Sequence, residues 1–175
     1  KDPKDNPIAR FGYTAYTLDG VKDLAQRPVT FVFNGGPGSS SIWLHMGIMG
    51  PRRVVVNDGG YAPPPPSQVV DNPFSPLDVT DIVMIDPVGT GFSKPLGDAK
   101  PADFHGVDED IRSVAQFIKR FVSENGRWGS PKYLLGESYG GVRSAGLAHY
   151  LQNTQGMDLN GVVLVSQINQ LRQEG

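Results

Sequence analysis

The sequence predicts one α/β domain with a mostly parallel sheet and flanking helices, and three observations lead there. Short apolar runs alternate with segments of helical periodicity, the pattern of a parallel sheet covered by helices. The 22 Gly and 15 Pro fall in short clusters between those runs, as turns do, without a three-residue period. At 175 residues and 38% hydrophobic composition, the chain is long and apolar enough to bury roughly 70% of its extended surface. No internal repeat or interdomain linker interrupts it, so residues 1–175 read as a single unit.

Taken in order, Phe11 to Leu18 is rich in aromatic and β-favouring residues and stops at the turn signal Asp19-Gly20. Pro28 to Phe33 is a nearly continuous apolar strand. Arg53 to Val56 runs into Asn57-Asp58-Gly59-Gly60, a hairpin turn signal, and the four prolines Pro63 to Pro66 make an extended surface segment. Asp81 to Asp86 reads as a buried strand. Between Val107 and Asn125, Ile111, Val114, Ala115, Ile118, Phe121 and Val122 recur at helical spacing. Asp108, Glu109 and Asp110 occupy that helix's first turn, where its dipole favours negative charge. Tyr133 to Leu135 is another strand, Tyr139 to Gln152 a second helix, and Gly161 to Ser166 the last strand.

Composition excludes several functions. With 16 Lys+Arg against 18 Asp+Glu, the formal net charge is -2, which gives no electrostatic basis for nucleic acid or an anionic membrane as partner. No apolar run reaches the ~18 residues of a membrane span. Lys1-Asp2-Pro3-Lys4-Asp5 does not read as a signal peptide. The absence of Cys removes disulfides, thiolate metal sites and a cysteine nucleophile. No His/Asp/Glu cluster has metal-ligand spacing, and no cofactor is implied.

Chemistry concentrates at three loops that leave the carboxyl ends of apolar strands, the edge where open α/β sheets bind ligands. Gly136-Glu137-Ser138-Tyr139-Gly140 has the G-x-S-x-G form between a strand and a helix, the context of a nucleophile elbow. Asn34-Gly35-Gly36-Pro37-Gly38-Ser39-Ser40 is a glycine-rich loop whose amides can face an oxyanion. It lacks the G-x-G-x-x-G and G-x-x-x-x-G-K-[ST] patterns of phosphate-binding loops. Asp86-Pro87-Val88-Gly89-Thr90-Gly91-Phe92-Ser93 is the third loop.

These three motifs, with Asn72-Pro73-Phe74-Ser75 and in this order, resemble the serine carboxypeptidases of the α/β-hydrolase fold, in the variety common among bacteria. The resemblance covers roughly positions 11 to 172. Proline iminopeptidases share a Gly-Gly-Pro-Gly loop but lack the Glu before the nucleophile and the Asp-Pro-Val-Gly-Thr-Gly loop. The resemblance implies an acylating nucleophile at Ser138 and oxyanion-hole amides at Gly36 and Tyr139. It further implies that Asn34, Gly35 and Glu137 bind the free terminal carboxylate of a peptide substrate. Two carboxylates in contact cannot both ionise cheaply, so one holds a proton, and activity is expected to favour acidic pH. A secreted or periplasmic enzyme is the implied setting. Four positions depart from the family pattern: Val32-Phe33 replaces Trp-Leu, Ser39 a Cys, Gly140 an Ala and Arg143 a Tyr. The first two are expected to reshape the pocket for the terminal side chain, whose walls are otherwise expected from a lid outside the chain.

A serine nucleophile needs a histidine base and an orienting acid, in the chain order Ser, Asp, His for this fold. After Ser138 the only histidine is His149, placed along a helix, and the only Asp is Asp158, before the last strand. His45 and His105 precede the nucleophile. The expectation is therefore an N-terminal half of a catalytic domain, with the lid and C-terminal part absent. Such a chain alone would be insoluble, oligomeric or inactive, and a complementary C-terminal segment would restore activity. Two readings stay open beside hydrolysis: a non-catalytic peptide-binding module on the same fold, and acyl transfer within the same family.

Overall fold

The computed structural model describes residues 6–168, so the first five residues and the end of the family resemblance, beyond position 168, lie outside the described residues. Nine strands and three α-helices follow one another: β1 (Ala9–Arg10), β2 (Tyr13–Tyr16), β3 (Val29–Phe33), α1 (Ile42–Leu44), β4 (Arg52–Val54), β5 (Val69–Asp71), β6 (Asp81–Ile85), β7 (Lys94–Pro95), α2 (Val107–Glu124), β8 (Lys132–Glu137), α3 (Gly140–Gln155) and β9 (Gly161–Val165). Five strands form the central sheet in the order β2-β6-β3-β8-β9. β2 runs antiparallel to β6 and the other pairings are parallel. The connections β6 to β8 through α2 and β8 to β9 through α3 are helical crossovers, as the alternating apolar runs predict, while β3 reaches its parallel partner β6 through α1 and the β4–β5 pair.

Side chains alternate across this sheet, which splits the core in two. On one face Val29, Phe31, Phe33, Val83, Ile85 and Leu134 pack against α2 and α3. All six apolar α2 residues picked out by spacing are buried there, and the five larger than Ala115 each stabilise by about 1.5–3 kcal/mol on the transfer scale. On the other face Val32, Ile82, Met84 and Leu135 meet Leu44 and Met49, from α1 and the π-helical turn His45–Met49 that extends it, with Leu77 and Val165 half-buried beside them. The long helices thus cover one face, and the second face carries a short helical segment rather than the full layer expected.

β9 is the edge strand. Among the described residues it pairs only with β8, and Val162, Val163 and Leu164 are 40%, 47% and 44% exposed. A separate small antiparallel pair, β4 with β5, carries the long loop that holds Asn57 to Pro66. Asn57-Asp58-Gly59-Gly60 is indeed a turn, closed by Gly60 N–H on the Asn57 carbonyl at 2.9 Å, and Pro64 to Pro66 are exposed. The returning strand β5 and the two-residue pair of β1 with β7 have no counterpart in the sequence reading.

An ion network locks the end of the sheet away from the glycine-rich loops. Asp81, 1% exposed, accepts from Arg127 Nη1 at 2.6 Å and Arg27 Nε at 3.1 Å; Arg27 spends its remaining donors on the Asp78 and Leu77 carbonyls, and Arg127 on the Arg27 carbonyl and the Ser130 hydroxyl. Every guanidinium bond that burial would leave unmet is met locally, which is the condition for a tolerable buried charge.

Candidate active site

The elbow is the turn between β8 and α3. β8 ends at Glu137, α3 begins at Gly140, and Ser138 between them has φ +56°. A non-glycine residue in that region is strained, and the surrounding bonds hold it there. Ser138 N–H donates to the Val165 carbonyl at 3.0 Å, and its own carbonyl accepts from Gly141 N–H at 2.9 Å. The edge strand β9 therefore anchors the elbow directly. Tight closure requires no side chain at Gly136, since a Cβ there would run into the Gly140 carbonyl and the Ser144 hydroxyl.

The loop after β3 lies against this turn. A Cβ on Gly35 would sit 2.6 Å from the Tyr139 amide nitrogen, 2.7 Å from the Glu137 carbonyl oxygen and 3.1 Å from Ser138 Cβ. Only glycine permits that approach. Among the described residues, the N–H groups of Gly36 and Tyr139 have no protein acceptor. Asn34 Nδ2 donates to Glu137 Oε2 at 3.1 Å, and Gly35 N–H reaches the same oxygen at 3.4 Å. The other end of the Asn34 amide accepts from Leu44 N–H at 3.2 Å, which fixes its orientation.

Asn34, Gly36, Glu137 and Ser138 together line a cavity of about 390 Å³. Trp43, Leu44 and Ile48 wall its apolar side, so part of the wall expected from a lid is built from this chain. Trp43 and Ile48 are 72% and 52% exposed, and their only sequence signal was a pair of apolar residues beside the glycine loop. Ser39 also lines the cavity. Val32 and Phe33 do not: they are buried on opposite faces of the sheet because strand alternation sends them there.

The remaining motifs support rather than line this cavity. Asp86, at the end of β6, accepts from Ser41 N–H and Oγ–H at 2.9 Å each and from Phe92 N–H at 3.1 Å. It thereby ties the third loop to the end of the glycine loop. Asn72 Nδ2 donates to the carbonyls of Ile48 and Gly50 at 2.7 and 2.9 Å, and Ser75 Oγ to that of Met49 at 2.7 Å. Asn72-Pro73-Phe74-Ser75 thus braces the turn that carries Ile48.

Beneath the site, Arg143 and Asp110 form a buried pair. Burial pushes the Asp110 carboxyl above its ordinary range, and the adjacent guanidinium pulls it back. The Tyr139 hydroxyl beside them is buried without a hydrogen-bond partner among the described residues, and burial raises its pKa, with Asp110 adding to the rise.

No histidine lines the cavity among the described residues. His149 is exposed on α3 beside Asn153, and His105 is exposed before α2. His45 is half-buried, 2.6 Å from the Tyr16 hydroxyl. Asp158 lines a separate hollow with Lys132, the first residue of β8, at the far end of the strand from Ser138.

Comparison with known proteins identifies the family and the fold. The family model described as serine carboxypeptidase matches residues 16–170. Serine carboxypeptidase-like 36 of Arabidopsis thaliana is 29% identical over 167 residues, covering 91% of this chain and 32% of the plant protein. Pheromone-processing carboxypeptidase KEX1 of Yarrowia lipolytica is 33% identical over 152 residues, 85% of this chain and 23% of the fungal one. Among solved structures, the prohormone-processing carboxypeptidase KEX1(delta)p from Saccharomyces cerevisiae superposes with a TM-score of 0.77 at 23% identity, over 96% of this chain and 36% of that one. A peroxisomal α/β-hydrolase of the same yeast, Lpx1, superposes at 0.54 with 14% identity, over 93% of this chain and 38% of its own. Both show a shared fold. The chain spans between 23% and 38% of the length of these relatives. They come from a plant and from fungi, and give no support to the bacterial variety expected from the Asp-Pro-Val-Gly-Thr-Gly loop.

Proposed function

The chain belongs to the serine carboxypeptidase family, and on that premise we propose that it carries the acylating half of a serine-type carboxypeptidase. Ser138 Oγ attacks the carbonyl of the last peptide bond. The hydroxyl proton passes to a base and then to the leaving amino acid, and water releases the acyl group from Ser138. The N–H groups of Gly36 and Tyr139 hold the oxyanion, with the N-terminus of α3 behind them. Asn34, Gly35 and Glu137 hold the substrate's free carboxylate. One proton between that carboxylate and Glu137 replaces repulsion by a hydrogen bond, so hydrolysis is favoured at acidic pH and declines as the proton is lost.

One observation carries the reading: the Gly35 backbone lies in contact range of Ser138 and the Tyr139 amide, and its neighbour Gly36 shares one cavity with Ser138. The base and acid come, in this reading, from polypeptide beyond the described residues. That polypeptide packs along the free edge of β9, over Val162 and Leu164. The chain alone is then inactive, and it associates or precipitates through that edge.

A non-catalytic peptide-binding module is the second reading, favoured by the lack of a histidine among the residues lining the cavity. Hydrolysis of one peptide and its C-terminal amide by the complete protein, followed across pH, separates the two. The enzyme reading expects the free acid to be preferred, most strongly at acidic pH. No hydrolysis of either would leave the binding module, and equal rates at acidic pH would remove the carboxylate clamp.

A further inference from the structure

Arg143 lies in the second turn of α3 with no exposed surface. Its Nε and Nη2 donate to Asp110 Oδ2 and Oδ1 at 2.7 and 3.1 Å, and Nη1 donates to the Asn34 carbonyl at 2.7 Å. The guanidinium carbon lies 5.2 Å from the Phe33 ring centroid and 5.3 Å from that of Tyr139. One planar cation therefore touches the last residue of β3, the first residue of the glycine loop, the residue after Ser138, and α2.

The Asn34 carbonyl and the Gly35 N–H belong to one rigid trans peptide unit and point in opposite directions. Arg143 holds the carbonyl side, and on the other side Gly35 N–H reaches Glu137 Oε2 at 3.4 Å. Rotation of that plane would turn the Gly35 amide away from Glu137. Stability alone is a weak reason for such a pair, because apolar residues of similar volume often serve as well as a buried ion pair. A guanidinium offers what they do not: donors fixed in direction toward Asp110 and Asn34 at once.

We propose that Arg143 is a positioning residue for the carboxylate clamp, holding the Asn34–Gly35 peptide plane so that the Gly35 amide faces Glu137. The kinetic consequence rests on the carboxypeptidase reading; the structural one does not.

The test uses two variants of the complete protein. Arg143→Lys keeps the charge and loses the fork. Arg143→Met/Asp110→Leu removes the whole pair without leaving an unpaired buried charge. In both, the ratio of kcat/KM for a free-acid peptide over its C-terminal amide is expected to fall at least about tenfold, because misplacing a positioned group costs selectivity before it costs folding. Hydrogen exchange at the Gly35 amide is expected to quicken by about tenfold or more, with exchange in β6 unchanged. The double variant is expected to melt cooperatively near the parent temperature and still not recover the ratio. Equal losses on both substrates would mark a scaffold role and overturn the proposal, as would an unchanged Gly35 exchange rate in a folded variant. Failure of both variants to fold would also overturn it, since the pair would then be a folding element. A parent protein that hydrolyses neither substrate would defeat the carboxypeptidase reading alone, and the exchange measurement would still decide the role of Arg143.

Discussion

Gly35 and Tyr139 are packed so closely that a single added carbon on Gly35 would lie 2.6 Å from the Tyr139 amide nitrogen. More than a hundred residues separate them in sequence, and parallel pairing of β3 with β8 brings them together, Phe33 opposite Gly136. The register of two strands thus sets the spacing of the proposed oxyanion donors.

Gly35→Ala should therefore cost function before it costs the fold. The new methyl group meets backbone atoms that cannot swing aside, and overpacking of this kind costs about 1–3 kcal/mol. A melting-temperature drop of a few degrees should accompany loss of Ser138 acylation by at least about a hundredfold, the scale of removing an oxyanion donor. Acylation at the parent rate would show that the loop does not need its present approach.

Glu137→Gln keeps a hydrogen-bonding group beside Asn34 and removes a titratable one. The acid preference of free-acid hydrolysis should flatten, while the C-terminal amide should be handled as well as or better than before. A kcat/KM profile against pH for both substrates checks this. An unchanged acid preference would move its origin away from Glu137.

Asp81→Asn is expected to act on stability alone. It leaves Arg27 and Arg127 buried without their shared counter-charge at the end of the sheet remote from Ser138. Removing one partner of such a buried group costs about 3–5 kcal/mol, readable as a lower urea midpoint. A midpoint within error of the parent would mean the two arginines are satisfied by their main-chain carbonyls.

His45 should make the fold acid-sensitive. Burial lowers its pKa from 6.5, and the nearby Asp86 raises it by less. The folded state then binds the proton more weakly than the unfolded one, so its contribution to stability is complete above 6.5 and is lost as pH falls from there through the lowered value. His45→Gln should flatten this part of a melting-temperature series taken downward from neutral pH. A parent series without such a slope would contradict the assignment.

Much of this was legible because its signals are local. The elbow follows from a G-x-S-x-G stretch after an apolar run, and α2 from six apolar residues at helical spacing. α3 was placed only by its position after the elbow, because its buried face is Gly140, Gly141, Arg143, Ser144, Leu147 and Leu151, a set without amphipathic contrast. Arg143 stands out in the sequence only as a departure from a family Tyr; its buried bonds to Asp110 and the Asn34 carbonyl come from the packing of α3 on α2 and β3. β5 is three residues after a proline run, too short for alternation to register. Ile48 is a cavity wall because Asn72 and Ser75 brace its turn, a contact between segments far apart in sequence that no local signal marks.

The most direct test is covalent labelling of the complete protein with a fluorophosphonate probe, followed by peptide mapping. The account predicts a single adduct on Ser138, absent from Ser138→Ala and strongly reduced in Gly35→Ala. No adduct, or an adduct on another serine such as Ser39, would contradict it.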